Sequence, residues 1–153
     1  MSLEDKKIFI VDDDESVCRA LSILLGTHGF AVDTFTSADA FFRTIPNSAP
    51  GCLLLDIHMP TLGGWETLHY LQTSGSIRPV IIMSADKNGG LNERALKAGA
   101  VGYLQKPFND QAPALEDDVR KILWGTRSLD LLGQVALLLV GAFGVVVLFK
   151  EKK

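Results

Sequence analysis

The sequence predicts an α/β fold, a doubly wound five-stranded parallel sheet, on three observations. Short apolar runs alternate with segments whose apolar residues recur at spacings of three and four, the periods of strand and helix. One run, Cys52–Asp56 (CLLLD), is apolar without interruption until its last residue, as in a strand covered on both faces. The connections are short, so each strand, helix and next strand form a βαβ unit. Right-handed crossovers then lay the strands parallel with helices on both faces.

Residues 7–11 (KIFIV) are the first strand, stopping at a run of acids. Residues 15–27 follow as a helix, with Val17, Leu21, Leu24 and Leu25 on one face, Arg19 outward and Gly29 as its stop. Phe30–Thr34 is the second strand. Ser37–Thr44 is a short helix with Ser37 as N-cap. Pro46 and Pro50 mark the loop to the third strand, Cys52–Asp56. The alternation continues with a helix at Gly64–Thr73, a strand at Val80–Met83 and a helix at Leu91–Ala98 closed by Gly99. A strand at Val101–Leu104 and a helix at Ala114–Trp124, with Pro113 at its first turn, complete it.

The 153 residues divide near position 124. Residues 1–124 carry 11 Lys/Arg and 16 Asp/Glu and read as one globular domain; residues 125–153 carry 4 and 2. No basic stripe supports nucleic-acid binding. Cys18 and Cys52 show neither zinc spacing nor a pairing pattern, which suits a reducing compartment and two buried, apolar side chains. No signal peptide is visible in MSLEDKKIF.

A parallel sheet of this kind binds ligands beyond the carboxyl ends of its strands. There the first strand ends in Asp12-Asp13-Asp14-Glu15 and the third in Asp56, followed by His58, Met59 and Pro60. The fourth ends in Ser84-Ala85, and Lys106-Pro107-Phe108 follows the fifth. Crowded carboxylates repel unless a cation joins them, and a hard cation such as Mg²⁺ suits oxygen ligands. A lysine and a hydroxyl opposite the acids make sense if an anion arrives. A carboxylate that accepts a phosphoryl group needs both metal and cation, and Asp56, alone on the middle strand, is the nucleophile on that reading.

Four segments together resemble the response-regulator receiver domain of two-component signalling, a flavodoxin-like (βα)5 fold. IFIVDDDES resembles its acidic pair, and LLLDIHMPTLGG its D-x-x-M-P-x-x-x-G phosphoacceptor segment. IIMSA resembles its switch hydroxyl, and GYLQKPF its lysine-proline. The resemblance spans residues 5–124. It implies Asp56 as the phosphorylated residue and a metal ligand, with Asp13 a direct Mg²⁺ ligand, Asp12 acting largely through water and the backbone carbonyl of His58 completing the set. It implies that Ser84 and Lys106 contact phosphoryl oxygens, that Tyr103 holds the aromatic switch position and that the Lys106–Pro107 bond is cis. Gly63 departs from the Asp common before the motif glycine; His58 and Asp86 stand where phosphoryl lifetime is tuned.

The same resemblance implies a phospho-acceptor rather than an enzyme, a histidine kinase or phosphotransfer protein as donor, and a receiver homodimer as a further partner. Only 29 residues follow Trp124, too few for the helix-turn-helix domain many members carry, so output through protein contacts is expected. The alternative is a membrane-anchored binding or scaffold component whose receiver fold is not phosphorylated. The tail carries the membrane reading. Leu131–Phe149 (LLGQVALLLVGAFGVVVLF) is uncharged, apolar all round and about 28 Å long as a helix, against a hydrocarbon core of roughly 30 Å. It is expected to be a C-terminal hydrophobic helix. A transmembrane span would anchor a cytoplasmic receiver at the inner face of the cytoplasmic membrane. A helix packed on protein, or a fused segment, are the alternatives.

Overall fold

The computed structural model describes residues 7–27 and 29–106, and the backbone of residues 147–149. Its elements run β1 (Lys7–Val11), α1 (Glu15–Thr27), β2 (Ala31–Phe35), α2 (Ala38–Thr44), β3 (Cys52–Asp56) and α3 (Gly64–Thr73). They continue with β4 (Val80–Ser84), α4 (Leu91–Lys97), β5 (Gly102–Gln105) and β6 (Val147–Phe149). The strands lie in one sheet in the order β2-β1-β3-β4-β5-β6. The first five are parallel, with registers such as Val11 opposite Leu55 and Asp56 opposite Met83.

The alternation of side chains along each strand builds two cores, one on each face. Ile8, Ile10, Leu54, Ile81, Met83 and Leu104 point to the face covered by Cys18, Leu21 and Leu25 of α1. Phe9, Val11, Leu53, Leu55 and Ile82 point to the other, against Phe41 of α2, Leu68 and Leu71 of α3 and Ala95 of α4. Both faces being covered explains why β3 and β4 are buried at every position. β2, at the edge, is only partly covered.

Local signals set the helix ends. Ser37 caps α2, its hydroxyl accepting from the Ala40 N–H at 3.1 Å. Gly29 follows α1 at φ 86°, and its N–H donates to the Gly26 carbonyl. β2 and β5 each begin one residue later than the sequence pattern suggests. Phe30, which the sequence pattern assigns to the strand, instead donates its N–H to the Leu25 carbonyl at the close of α1.

The C-terminal segment departs from expectation. Val147–Phe149, read as the end of a hydrophobic helix, is a strand antiparallel to β5, with Tyr103 opposite Leu148. The β-branched run Val145-Val146-Val147 favours extended backbone, and the open edge of β5 supplies unpaired partners. The rest of that segment, 131–146, lies outside the described residues, as do the helix expected at Ala114–Trp124, the linker and the Lys106–Pro107 bond. Among the described residues, no helix is long and apolar enough to cross a membrane.

Candidate functional site

The site forms where β1, β3, β4 and β5 end. Asp12 directly follows β1, and its N–H donates to the Phe35 carbonyl of β2 at 3.1 Å, which holds it at the rim. Its side chain is fully buried. Asp13 is exposed beside it. Asp56 is the last residue of β3 and only 4% exposed. Carboxylate oxygens of Asp12, Asp13 and Asp56 all lie within 4.8 Å of one another.

Among the described residues, one cation faces this cluster of acids. The Lys106 Nζ forms an ion pair with Asp12 Oδ2 and stands 3.5 Å from Asp56 Oδ1. Its backbone N–H donates to the Ser84 carbonyl at 2.7 Å, which fixes the lysine at the end of the β4–β5 ladder. Burial alone would depress the lysine pKa. The hydrogen bond to Asp12 and the nearby charges of Asp56 and Asp12 outweigh it, so the ammonium form is favoured.

Asp56 goes the other way. Burial, then the charge of Asp12, pushes its pKa up to about 6, against the opposing pull of Lys106 and of the His58 backbone hydrogen bond. A single lysine therefore does not balance the cluster. Three close oxygen donors with a deficit of positive charge suit a hard divalent cation. His58 supplies its backbone hydrogen bond to Asp56, while its side chain is exposed.

The loop after Asp56 explains the glycine of the sequence motif. A Cβ on Gly64 would stand 2.4 Å from the Asp56 carbonyl oxygen and 2.6 Å from the Ile57 Cα. Only glycine lets α3 begin so close to the end of β3, and the Gly64 N–H closes the loop onto the Ile57 carbonyl at 2.9 Å. Within this loop Thr61 adopts φ 67°, a strained backbone for a β-branched residue.

Ser84, at the end of β4, is fully buried. Its hydroxyl accepts from the Asp86 N–H at 3.0 Å. Tyr103 is tucked in, 6% exposed, its hydroxyl donating to the Asp86 carbonyl at 3.3 Å. Burial raises the Tyr103 pKa, and a hydrogen bond with Ser84 works against that. Ser84, Tyr103 and the Asp86 backbone thus form one small network next to the acids. The structure gathers Asp12, Asp13, Asp56 and Lys106 directly, and holds Ser84 and Tyr103 in this adjoining group.

Two residues given no part in the site support it. Asp14 accepts from both the N–H (2.9 Å) and the hydroxyl of Ser16, which caps α1 and lowers the Asp14 pKa. Its own N–H donates to Asp12 Oδ1 at 2.9 Å, orienting that carboxylate. An acid immediately before the first helical residue was the available signal. Cys18, buried as expected, directs its thiol to the Asp12 carbonyl at 3.4 Å; burial raises its pKa to about 11.

The family model of the response regulator receiver domain matches residues 8–116. The response regulator protein TodT of Pseudomonas putida is 38% identical over 111 residues, covering 72% of this chain and 49% of its own length. The transcriptional regulatory protein FixJ of Bradyrhizobium diazoefficiens is 38% identical over 103 residues, covering 67% and 50%. The chain spans about half the length of these curated relatives. Among solved structures, FixJ-N superposes with a TM-score of 0.63 at 32% identity, covering 84% of this chain and 100% of its own. A receiver protein from Burkholderia phymatum gives 0.58 at 39% identity, covering 76% and 93%. The flavodoxin-like fold with five parallel strands, the acidic rim and these matches lead to one assignment: the chain belongs to the response regulator receiver domain family, the phosphoacceptor module of two-component systems.

Proposed function

We propose that the chain is a phospho-acceptor receiver that takes a phosphoryl group on Asp56 from a phosphohistidine of a histidine kinase or phosphotransfer protein. One observation carries this reading. Asp56 sits almost buried at the end of the central strand β3, between two further carboxylates and a single ammonium group.

An ionised Asp56 oxygen attacks phosphorus. The bond from phosphorus to the donor nitrogen breaks, and the imidazole leaves with the electron pair and takes up a proton. Asp12, held by the Asp14 N–H, aims Lys106 at Asp56, so the ammonium lies where phosphoryl oxygens arrive. Ser84 donates to another phosphoryl oxygen once its hydroxyl turns from the Asp86 and Tyr103 network, which ties Tyr103 to the phosphorylation state. Asp13 and Asp56 directly, Asp12 largely through water, and the His58 carbonyl would hold Mg²⁺. Mg²⁺ bound there would offset part of the negative charge of the carboxylates and of the incoming phosphoryl group.

The phosphodonor sets the compartment, so the receiver, residues 1–124, belongs in the cytoplasm. Its output is contact with another protein, a second receiver copy included. FixJ is a transcriptional regulatory protein, and the match covers half of its length.

Incubation with a small phosphodonor and Mg²⁺, read by intact mass, tests the proposal. The parent gains one phosphoryl mass and Asp56→Asn gains none, both remaining folded. No gain in the parent would support the alternative of a scaffold with a non-phosphorylated receiver fold. Labelling of Asp56→Asn equal to the parent would move the acceptor elsewhere.

A further inference from the structure

β6, like β2, supplies no side chain to the rim chemistry, and it breaks the parallel order of the sheet. It runs antiparallel along β5, with Gly102 opposite Phe149, Tyr103 opposite Leu148 and Leu104 opposite Val147. Five parallel strands alone would leave β5 as an edge, a row of unpaired N–H and C=O groups open to another strand. β6 lies on that edge and is centred on Tyr103, whose hydroxyl belongs to the Ser84–Asp86 network. The following residue after β5 is Lys106.

The same three residues end the uncharged run of the tail. They cannot lie in a bilayer and pair with β5 at once. Without them the uncharged run is 131–146, about 24 Å as a helix, short of a hydrocarbon core of roughly 30 Å. Pairing with β5 and spanning a membrane with the whole segment are thus mutually exclusive positions.

We propose that Val147–Phe149 is an intramolecular cover of the β5 edge. It occupies the backbone groups that a strand from a second copy would otherwise use, and braces the strand that carries Tyr103 and leads into Lys106. A receiver with its cover in place has no free edge at β5. Displacing the cover exposes that edge beside the switch tyrosine, which makes the C-terminal strand an autoinhibitory contact.

The test uses the full chain and the single variants Val147→Pro and Leu148→Pro. Successive N–H groups of a strand point to opposite sides, so one of these two positions donates to β5 and the other does not. Proline removes the donor. Amide exchange of residues 102–105, followed by mass spectrometry, should be about tenfold faster in one variant and much less changed in the other. Cooperative thermal unfolding confirms that both variants are folded. Parent protection should be the same at high and low protein concentration. Unchanged exchange in both variants overturns the proposal. Parent protection that grows with concentration overturns it in favour of a strand from a second copy. Stable insertion of the parent into phosphatidylcholine–phosphatidylglycerol vesicles, with unprotected 102–105 amides, overturns it in favour of a membrane span.

Discussion

Two regions of this molecule bury charge, at opposite ends of the sheet, and they treat it differently. At the carboxyl ends, three carboxylates face one lysine, and Asp56 is pushed up to a pKa of about 6 by burial and by Asp12. Before β4, Arg78 is 4% exposed, with no carboxylate partner among the described residues. Its Nη2 donates to the carbonyls of Pro46 at 2.9 Å and Ala49 at 2.8 Å. Its guanidinium lies over the rings of Phe9 and Phe41 at 5.0 and 5.2 Å. Burial lowers the Arg78 pKa, and Nε and Nη1 have no hydrogen-bond partner among the described residues. Carbonyl oxygens and ring faces solvate this charge without neutralising it, and at 4% exposure the guanidinium offers little open face to an incoming ion. Buried charge by itself does not mark a reactive site. Crowded like charge with an insufficient counter-charge does, because a ligand of opposite sign relieves it.

The contrast is sharpened by removing each charge in turn. Arg78→Ala should have the largest effect on stability, a loss of about 2–4 kcal/mol, since it gives up two hydrogen bonds and the ring contacts that pack α2 against the sheet. Chemical denaturation measures it, and phosphodonor labelling of the protein that remains folded should persist. A neutral Arg78→Ala would mean that the guanidinium contributes no net stability at that end of the sheet.

Asp56→Asn should act in the opposite direction. In metal-free protein at pH 7 it should stabilise by about 1–3 kcal/mol, because a carboxylate that resists ionisation is replaced by a neutral amide. The pH dependence has a definite sign. The native state keeps the Asp56 proton to about pH 6, while the unfolded chain loses it near 4. Through this group, stability of the parent falls as pH rises from about 4 to 6 and stays lower above it. The variant should lack that slope. Parallel slopes in parent and variant would place the repulsion elsewhere.

Mg²⁺ should add a comparable amount at the rim and nothing through Arg78. At a concentration about 100 times its Kd, a ligand specific for the folded state stabilises by about 2.7 kcal/mol. Mg²⁺ should therefore raise the melting temperature of the parent and of Arg78→Ala, and fail to raise that of Asp13→Ala. An Asp13→Ala protein that responds like the parent removes Asp13 from the site. The smallest effect is local: Ser37→Ala should cost about 1 kcal/mol by removing the hydroxyl that accepts from Ala40.

These regions were not equally legible in the sequence. Asp56 is legible because it ends a continuous apolar run on the third strand, and the strand-end rule points to Asp12, Ser84 and Lys106 as well. β4 and the Ser37 cap followed from apolar pattern and capping chemistry. Arg78 gave no signal: a single arginine between Ile77 and Pro79 reads as an exposed loop residue, and only the fold brings it over Phe9 and Phe41. The Asp14 cap was obscured by its place in a run of four acids. Val147–Phe149 was misread because an apolar run without charge satisfies a helix template as readily as a strand, and the partner that selects the strand, β5, lies far away in the chain.

On the proposed function, the unbalanced rim makes Asp56 the phosphoryl acceptor. Borohydride trapping of the labelled full-length protein reduces an aspartyl phosphate to homoserine, and peptide mass spectrometry locates it. Homoserine is expected at position 56, dependent on Mg²⁺ during labelling. Homoserine at position 12, 13 or 14 instead, or equal yield without divalent cation, would contradict it.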